Sequence, residues 1–181
     1  MRELELLKLK AAKLSLCAKW NTRPVMGDGP CDAKVVLVGE APGRFEEKEG
    51  RPFVGMAGKF LTRELEKIGL QRKNVYITNV VKCRPPQNRK PKPEEVKEAL
   101  PILEEELNII KPKVVVLLGD TAVRAMLDKN YKVGKHHGRL IEKGGQSFLI
   151  TAHPSAAMRF KKMRAIFEAD MGVLKELLQL P

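Results

Sequence analysis

The sequence predicts an α/β domain of three layers, with a central four-stranded parallel sheet between two layers of helices. Three observations carry this. Four short apolar runs rich in β-branched residues recur along the chain, and continuous runs of that kind suit strands buried on both faces. Helical patterns separate successive runs. The intervening stretches, at roughly 40-residue spacing, are long enough for the right-handed crossovers that parallel strands require.

The elements follow in order. Residues 1–14, MRELELLKLKAAKL, place apolar residues at helical spacing among charges, which reads as an amphipathic helix and not as a signal peptide. AKVVLVG (33–39) is the first strand. GKFLTRELEKIGL (58–70) is a helix ending near a glycine. NVYITNVV (74–81) is the second strand. KPEEVKEALPILEEELNIIKP (92–112) opens with Pro and two Glu, as helix N-termini do, and its internal Pro101 kinks or divides it. KVVVLLG (113–119) is the third strand, and DTAVRAML (120–127) a helix with Asp120 as its cap. KVGKHHGRLIEKGGQ (132–146) reads as a turn or small hairpin, SFLITA (147–152) as the fourth strand, and Ser155 to Leu178 as the last helix.

The 181 residues, 43% of them hydrophobic, suit one domain spanning 1–181. No apolar run approaches the roughly 20 residues that cross a bilayer, so a cytoplasmic, nucleoid-associated location is expected. The formal net charge is +12, and CRPPQNRKPKP and MRFKKMR contain basic residues and no acidic one. That favours a polyanionic partner, since neutralised phosphates release counterions, over a merely solvated Lys/Glu surface. Cys17, Cys31 and Cys83 are too few and too scattered for a disulfide framework, which fits a reducing compartment.

Ligands of open parallel sheets bind beyond the carboxyl ends of the strands. Those ends carry Gly39-Glu40-Ala41-Pro42-Gly43, then Asn79, then Gly119-Asp120, then His153-Pro154-Ser155. The glycines do not form G-x-G-x-x-G, and Gly55-Met-Ala-Gly58-Lys59-Phe60 lacks the spacing and hydroxyl of a P-loop. No G-x-S-x-G elbow accompanies Ser155, and His136-His137 reads as an exposed turn pair instead of a metal site. What remains is a base reader. Phe53 offers a stacking face, Asn79 a donor and an acceptor side by side, His153 a donor to a developing anion, and Glu40 a group to hold water or balance a cation.

GEAPG, GRPFVGMAGKFL, ITNVVKCRPPQNRKPKPEE, LLGDTA and HPSAAMR, in that order from about residue 14 to 178, resemble the uracil-DNA glycosylase superfamily. The resemblance is closest to its family 4, the thermostable and usually iron–sulfur-containing group. It implies removal of uracil from DNA by N-glycosidic hydrolysis, with Glu40 and His153 as catalytic residues. Gly39, Ala41, Gly43, Phe53 and Asn79 would surround the base and sugar. Arg84, Asn88, Arg89, Lys90, Ser155, Met158 and Arg159 would grip the DNA, with Met158 as a wedge into the vacated stack. The implied partner is uracil-containing DNA, engaged by a monomer, with a sliding clamp as a further candidate partner.

The family's cluster uses four cysteines, and only Cys17 and Cys83 match; Leu14 and Ala99 occupy the other two positions. Three cysteines cannot supply four thiolates, so the expectation is no cofactor and no metal. The alternative is an iron–sulfur cluster drawing on Cys17, Cys31 and Cys83 with a non-cysteine fourth ligand. Two rival functions remain: a glycosylase for another deaminated base such as hypoxanthine, and a binding module that traps uracil-DNA without turnover. The trapping relatives carry Gln in the first motif, where this chain has Glu40.

Overall fold

The structure is a computed structural model and describes residues 2–179; Met1, Leu180 and Pro181, at the ends of the expected 1–181 domain, lie outside the described residues. Its frame is a five-stranded sheet in the order β2-β1-β3-β5-β4. β1 (Val35–Gly39), β2 (Tyr76–Asn79), β3 (Val114–Leu118) and β5 (Gln146–Thr151) are mutually parallel, as expected. β1, β2 and β3 are buried at every position, the condition under which strands lose polar alternation.

The fifth strand corrects the expected count of four. β4 (Leu140–Lys143) pairs antiparallel with β5, so the predicted hairpin exists, but its first arm extends the sheet. Only one face of this edge strand meets protein, and Glu142 and Lys143 interrupt the apolar run that marks a buried strand.

One helical layer comprises α4 (Met56–Lys67), α8 (Pro154–Arg159) and α9 (Lys161–Leu178), which pack on one another. The other contains α1 (Arg2–Ala12), α5 (Pro93–Ile110) and α6 (Asp120–Met126). α1 buries Leu7 and Ala11 against Ile102 of α5, while Leu6 and Leu9 of the same helix stay exposed. Pro101 is exposed and does not divide α5, which runs through it from Pro93 to Ile110.

Two helix boundaries differ from expectation. Asp120 is the first residue of α6, with Gly119 at the cap position, and its Oδ1 accepts the Val133 N–H at 2.9 Å. The carboxylate therefore ties α6 to α7 (Val133–His136). The last helix is two, α8 and α9, broken where Phe160 takes extended angles (φ −122°, ψ 122°). The smaller helices are α2 (Ser15–Trp20) and α3 (Arg44–Glu49).

Candidate active site

Strand register brings the first two motifs together. Gly39 pairs with Asn79, and beyond the strands the carbonyls of Gly39 and Glu40 accept Val80 N–H (2.9 Å) and Val81 N–H (3.0 Å). A Cβ on Gly39 would stand 2.5 Å from Asn79 Oδ1 and 2.6 Å from Phe53 Cζ. Glycine is required here because amide and aromatic ring both close on the backbone. The Phe53 ring lies 5.8 Å from that of His153, centroid to centroid. Three separate strand ends thus meet at one place.

Beside them opens a cleft of about 480 Å³ lined by Glu40, Thr121, His153, Ser155, Lys90 and Met163. Thr121 Oγ1 donates to Glu40 Oε2, so two residues of the lining fix each other. Asn79 and Phe53 sit at Gly39 and do not line this cleft; Phe53 lines a separate one together with Arg72. Asn79 is 2% exposed, and its Oδ1 has no hydrogen-bond partner among the described residues. Such an orphan costs about 1–3 kcal/mol, a cost that recurs at sites awaiting a ligand's donor.

The tautomer of His153 follows from its neighbours. Its Nδ1 accepts the Ser155 backbone N–H at 3.1 Å and lies 2.7 Å from Ser155 Oγ. An Nδ1 that accepts leaves the proton on Nε2, so the second ring nitrogen is the donor. Burial pushes the imidazole down to about pKa 4, so it is neutral at physiological pH.

Under Asn79 lies a second polar group of a different kind. Lys82 and Glu106 are fully buried and 2.6 Å apart. Lys82 Nζ also donates to Thr78 Oγ1 (2.7 Å) and to the Asn79 carbonyl (2.6 Å), while Glu106 accepts from Tyr76 OH, Thr78 Oγ1 and Gly27 N–H. Burial lowers the Lys82 ammonium against the pull of Glu106 and raises the Tyr76 phenol. These residues and Thr121 escaped the sequence reading. A Lys three residues past the end of β2 was the only signal available.

A family model described as the uracil DNA glycosylase superfamily matches residues 26–175. The chain belongs to the uracil-DNA glycosylase superfamily. Among its relatives are three proteins named type-4 uracil-DNA glycosylase. That of Sulfurisphaera tokodaii is 38% identical over 100% of this chain and 87% of its own. That of Thermotoga maritima is 40% identical over 97% and 95%, and that of Archaeoglobus fulgidus 42% identical over 88% and 84%.

Against that family the cysteines stand apart. Cys17 and Cys83 form a disulfide across 66 residues of chain, with Cα atoms 5.4 Å apart, a pair the sequence reading did not foresee. Leu14 packs against the core and Ala99 is buried, so neither cluster position offers a donor. Cys31 is the free thiol and lines a different cleft beside Tyr76. Among the described residues no three metal-ligating side chains gather. Two cysteines flanked by aliphatic carbon at the other two positions do not supply a four-thiolate cluster, nor does Cys31 join them for the alternative one.

The expected DNA-gripping residues divide in two. Arg84 bonds Glu47 Oε2 (3.0 Å) and Asn88 Oδ1 (2.7 Å). Arg89 makes a two-pronged pair with Glu95 (2.6 and 2.8 Å) and lies over the Trp20 ring, and Arg89 holds the Glu95 carboxyl down to about pKa 2. Lys90 and Arg159 are exposed, Lys90 at the cleft. Met158 packs against the core, whereas Phe160 is 60% exposed. His137 is not idle either; its Nδ1 lies 3.0 Å from the buried Asp170.

Proposed function

We propose that this protein is a uracil-DNA glycosylase that extrudes uracil from DNA and hydrolyses its N-glycosidic bond, leaving an abasic site. The observation that carries the reading is the orphaned Oδ1 of Asn79 beside the Phe53 ring and a neutral His153. Uracil supplies the missing donor with N3–H, and the Asn79 amide N–H₂ meets O4. Cytosine presents the opposite pattern and would leave both partners unpaired, a strong ground for rejection.

In the reaction the glycosidic bond lengthens, the sugar gains positive charge and uracil leaves as an anion. His153 Nε2–H points its dipole at uracil O2, and a preorganised donor of this kind is worth about 3–4 kcal/mol. Glu40, oriented by Thr121, faces the cationic sugar and holds the water that adds to C1′. That water gives up one proton, and the uracil anion gains one from solvent after release. Gly39, Ala41 and Gly43 form the floor under base and sugar.

Extruding the nucleotide costs a few kcal/mol, which phosphate contacts offset. Lys90 and Arg159 serve there, while Arg84, Asn88 and Arg89 shape their loop through internal bonds and Ser155, expected to grip DNA, instead holds His153 Nδ1. Phe160, the exposed apolar side chain of the segment, takes the wedge role in place of Met158. The reading treats residues 1–181 as one domain acting as a monomer, without a cofactor, on DNA in the cytoplasm. Anaerobically purified protein should contain no stoichiometric iron or sulfide, and unreduced protein should titrate one free thiol, Cys31.

Single-turnover cleavage of oligonucleotides carrying U, T, C or hypoxanthine tests the assignment. Uracil should be excised at least about 100-fold faster than cytosine. Faster release of hypoxanthine would transfer the site to that base, and stoichiometric trapping without release would make the protein a binder.

A further inference from the structure

We infer that Glu46 and Arg72 are positioning residues that together hold Phe53 in a left-handed backbone conformation, as the wall on which the base stacks. The inference rests on the reading of Phe53 as that wall. Phe53 has φ +53°, a region that bulky side chains avoid. Such a conformation persists only where the surroundings over-determine it.

Here they do so from both sides. On the carbonyl side Arg72 Nη1 donates to Phe53 O (3.0 Å) and Nη2 to Pro52 O (2.7 Å). On the amide side Glu46 Oε1 accepts Val54 N–H (3.0 Å) and Gly55 N–H (2.8 Å). The other oxygen, Oε2, accepts Gly43 N–H at 3.1 Å. One carboxylate therefore joins the loop after β1 to the loop that carries the aromatic. Beneath them Gly58 lets α4 approach so closely that any Cβ would overlap the Phe53 carbonyl.

Arg72 is anchored in turn. Asp28 Oδ2 lies 3.6 Å from its Nη2 and also accepts from Arg51 at 2.9 Å. The Arg72 side chain is 20% exposed, and two of its nitrogens are committed to carbonyls, so it is poorly placed for phosphate. Without the clamp the backbone at Phe53 can relax to negative φ. The ring would then leave Gly39 and His153 while the sheet stays intact. A misplacement of about 1 Å at a reacting site can cost 10²-fold in rate.

The test is a double-mutant cycle under saturating single-turnover conditions, with duplex affinity measured across salt concentration. Arg72→Ala and Glu46→Gln should each slow uracil excision about tenfold or more, with the salt slope of binding unchanged. In a Phe53→Ala background, adding either change should cost less than about twofold. Equal losses in both backgrounds, or a salt slope reduced by about one for Arg72→Ala, would overturn the clamp. If Phe53→Ala itself leaves excision unchanged, the base-wall reading falls and the clamp with it. Thermal melts establish folding. Should Arg72→Ala fail to fold, Arg72→Lys, whose single ammonium cannot span two carbonyls, completes the cycle beside Glu46→Gln.

Discussion

Two polar clusters share the end of β2 and treat their hydrogen bonds in opposite ways. In the Lys82–Glu106 cluster every prong of charge has a partner, and both side chains are sealed from water. At the end of β2 itself Asn79 is 2% exposed, yet its Oδ1 has no partner among the described residues. The difference separates polarity that holds the chain from polarity that waits for something. A satisfied network is structural; a buried orphan is not by itself a site, since Thr151 Oγ1 at the end of β5 is another, and Asn79 is singled out by its neighbours Gly39, Phe53 and His153.

The comparison can be broken most forcefully at the satisfied cluster. Lys82→Ala should destabilise the fold by about 3–5 kcal/mol, because Glu106 is left buried and unpaired. Denaturant melts measure it. A cost below about 1 kcal/mol would mean that the network is not the structural half of the pair. Replacing both partners by apolar residues of like size should recover most of the loss.

Next in size is His153→Ala, which should slow single-turnover uracil excision by about 10²–10³-fold. The pH profile sharpens it. Because burial lowers this imidazole to about 4, the neutral donor persists and excision should stay flat from pH 8 down to pH 5.5. A rate that climbs as pH falls would assign the work to imidazolium. Stability behaves differently. Between the ordinary value of 6.5 and about 4, the unfolded chain binds a proton that the folded one does not. This contribution therefore declines as pH drops through that window, and His153→Ala should remove it.

The smallest expected effect separates the paired from the free cations. Arg159→Ala should reduce the salt slope of DNA binding by about one, while Arg89→Ala, whose guanidinium is committed to Glu95, should leave it nearly unchanged. Competition binding at several salt concentrations checks both.

The same contrast explains what could be read from the chain. The four parallel strands were legible because burial on both faces writes continuous apolar runs, and the positions of Glu40, Asn79 and His153 followed from the ends of those runs. β4 was not legible, since an edge strand with Leu140 39% exposed writes no such run. Nor was the break at Phe160, because apolar spacing continues across it. The charge of Arg84 and Arg89 was visible, but Glu47 and Glu95 reach them only in space. The Cys17–Cys83 pairing, the Thr121–Glu40 contact and the Glu46 and Arg72 bonds around Phe53 are likewise tertiary. Local pattern encodes which residues face a strand end, and not which partners meet them there.

The central claim is that Asn79 keeps an unpaired oxygen for its substrate. The most direct test measures single-turnover uracil excision and the melting midpoint of Asn79→Ala on the same preparation. The rate should fall about 100-fold or more while the midpoint holds or rises, since removing an orphaned polar atom costs the fold nothing. A rate within about twofold of the parent, or a midpoint that collapses along with it, would contradict the account.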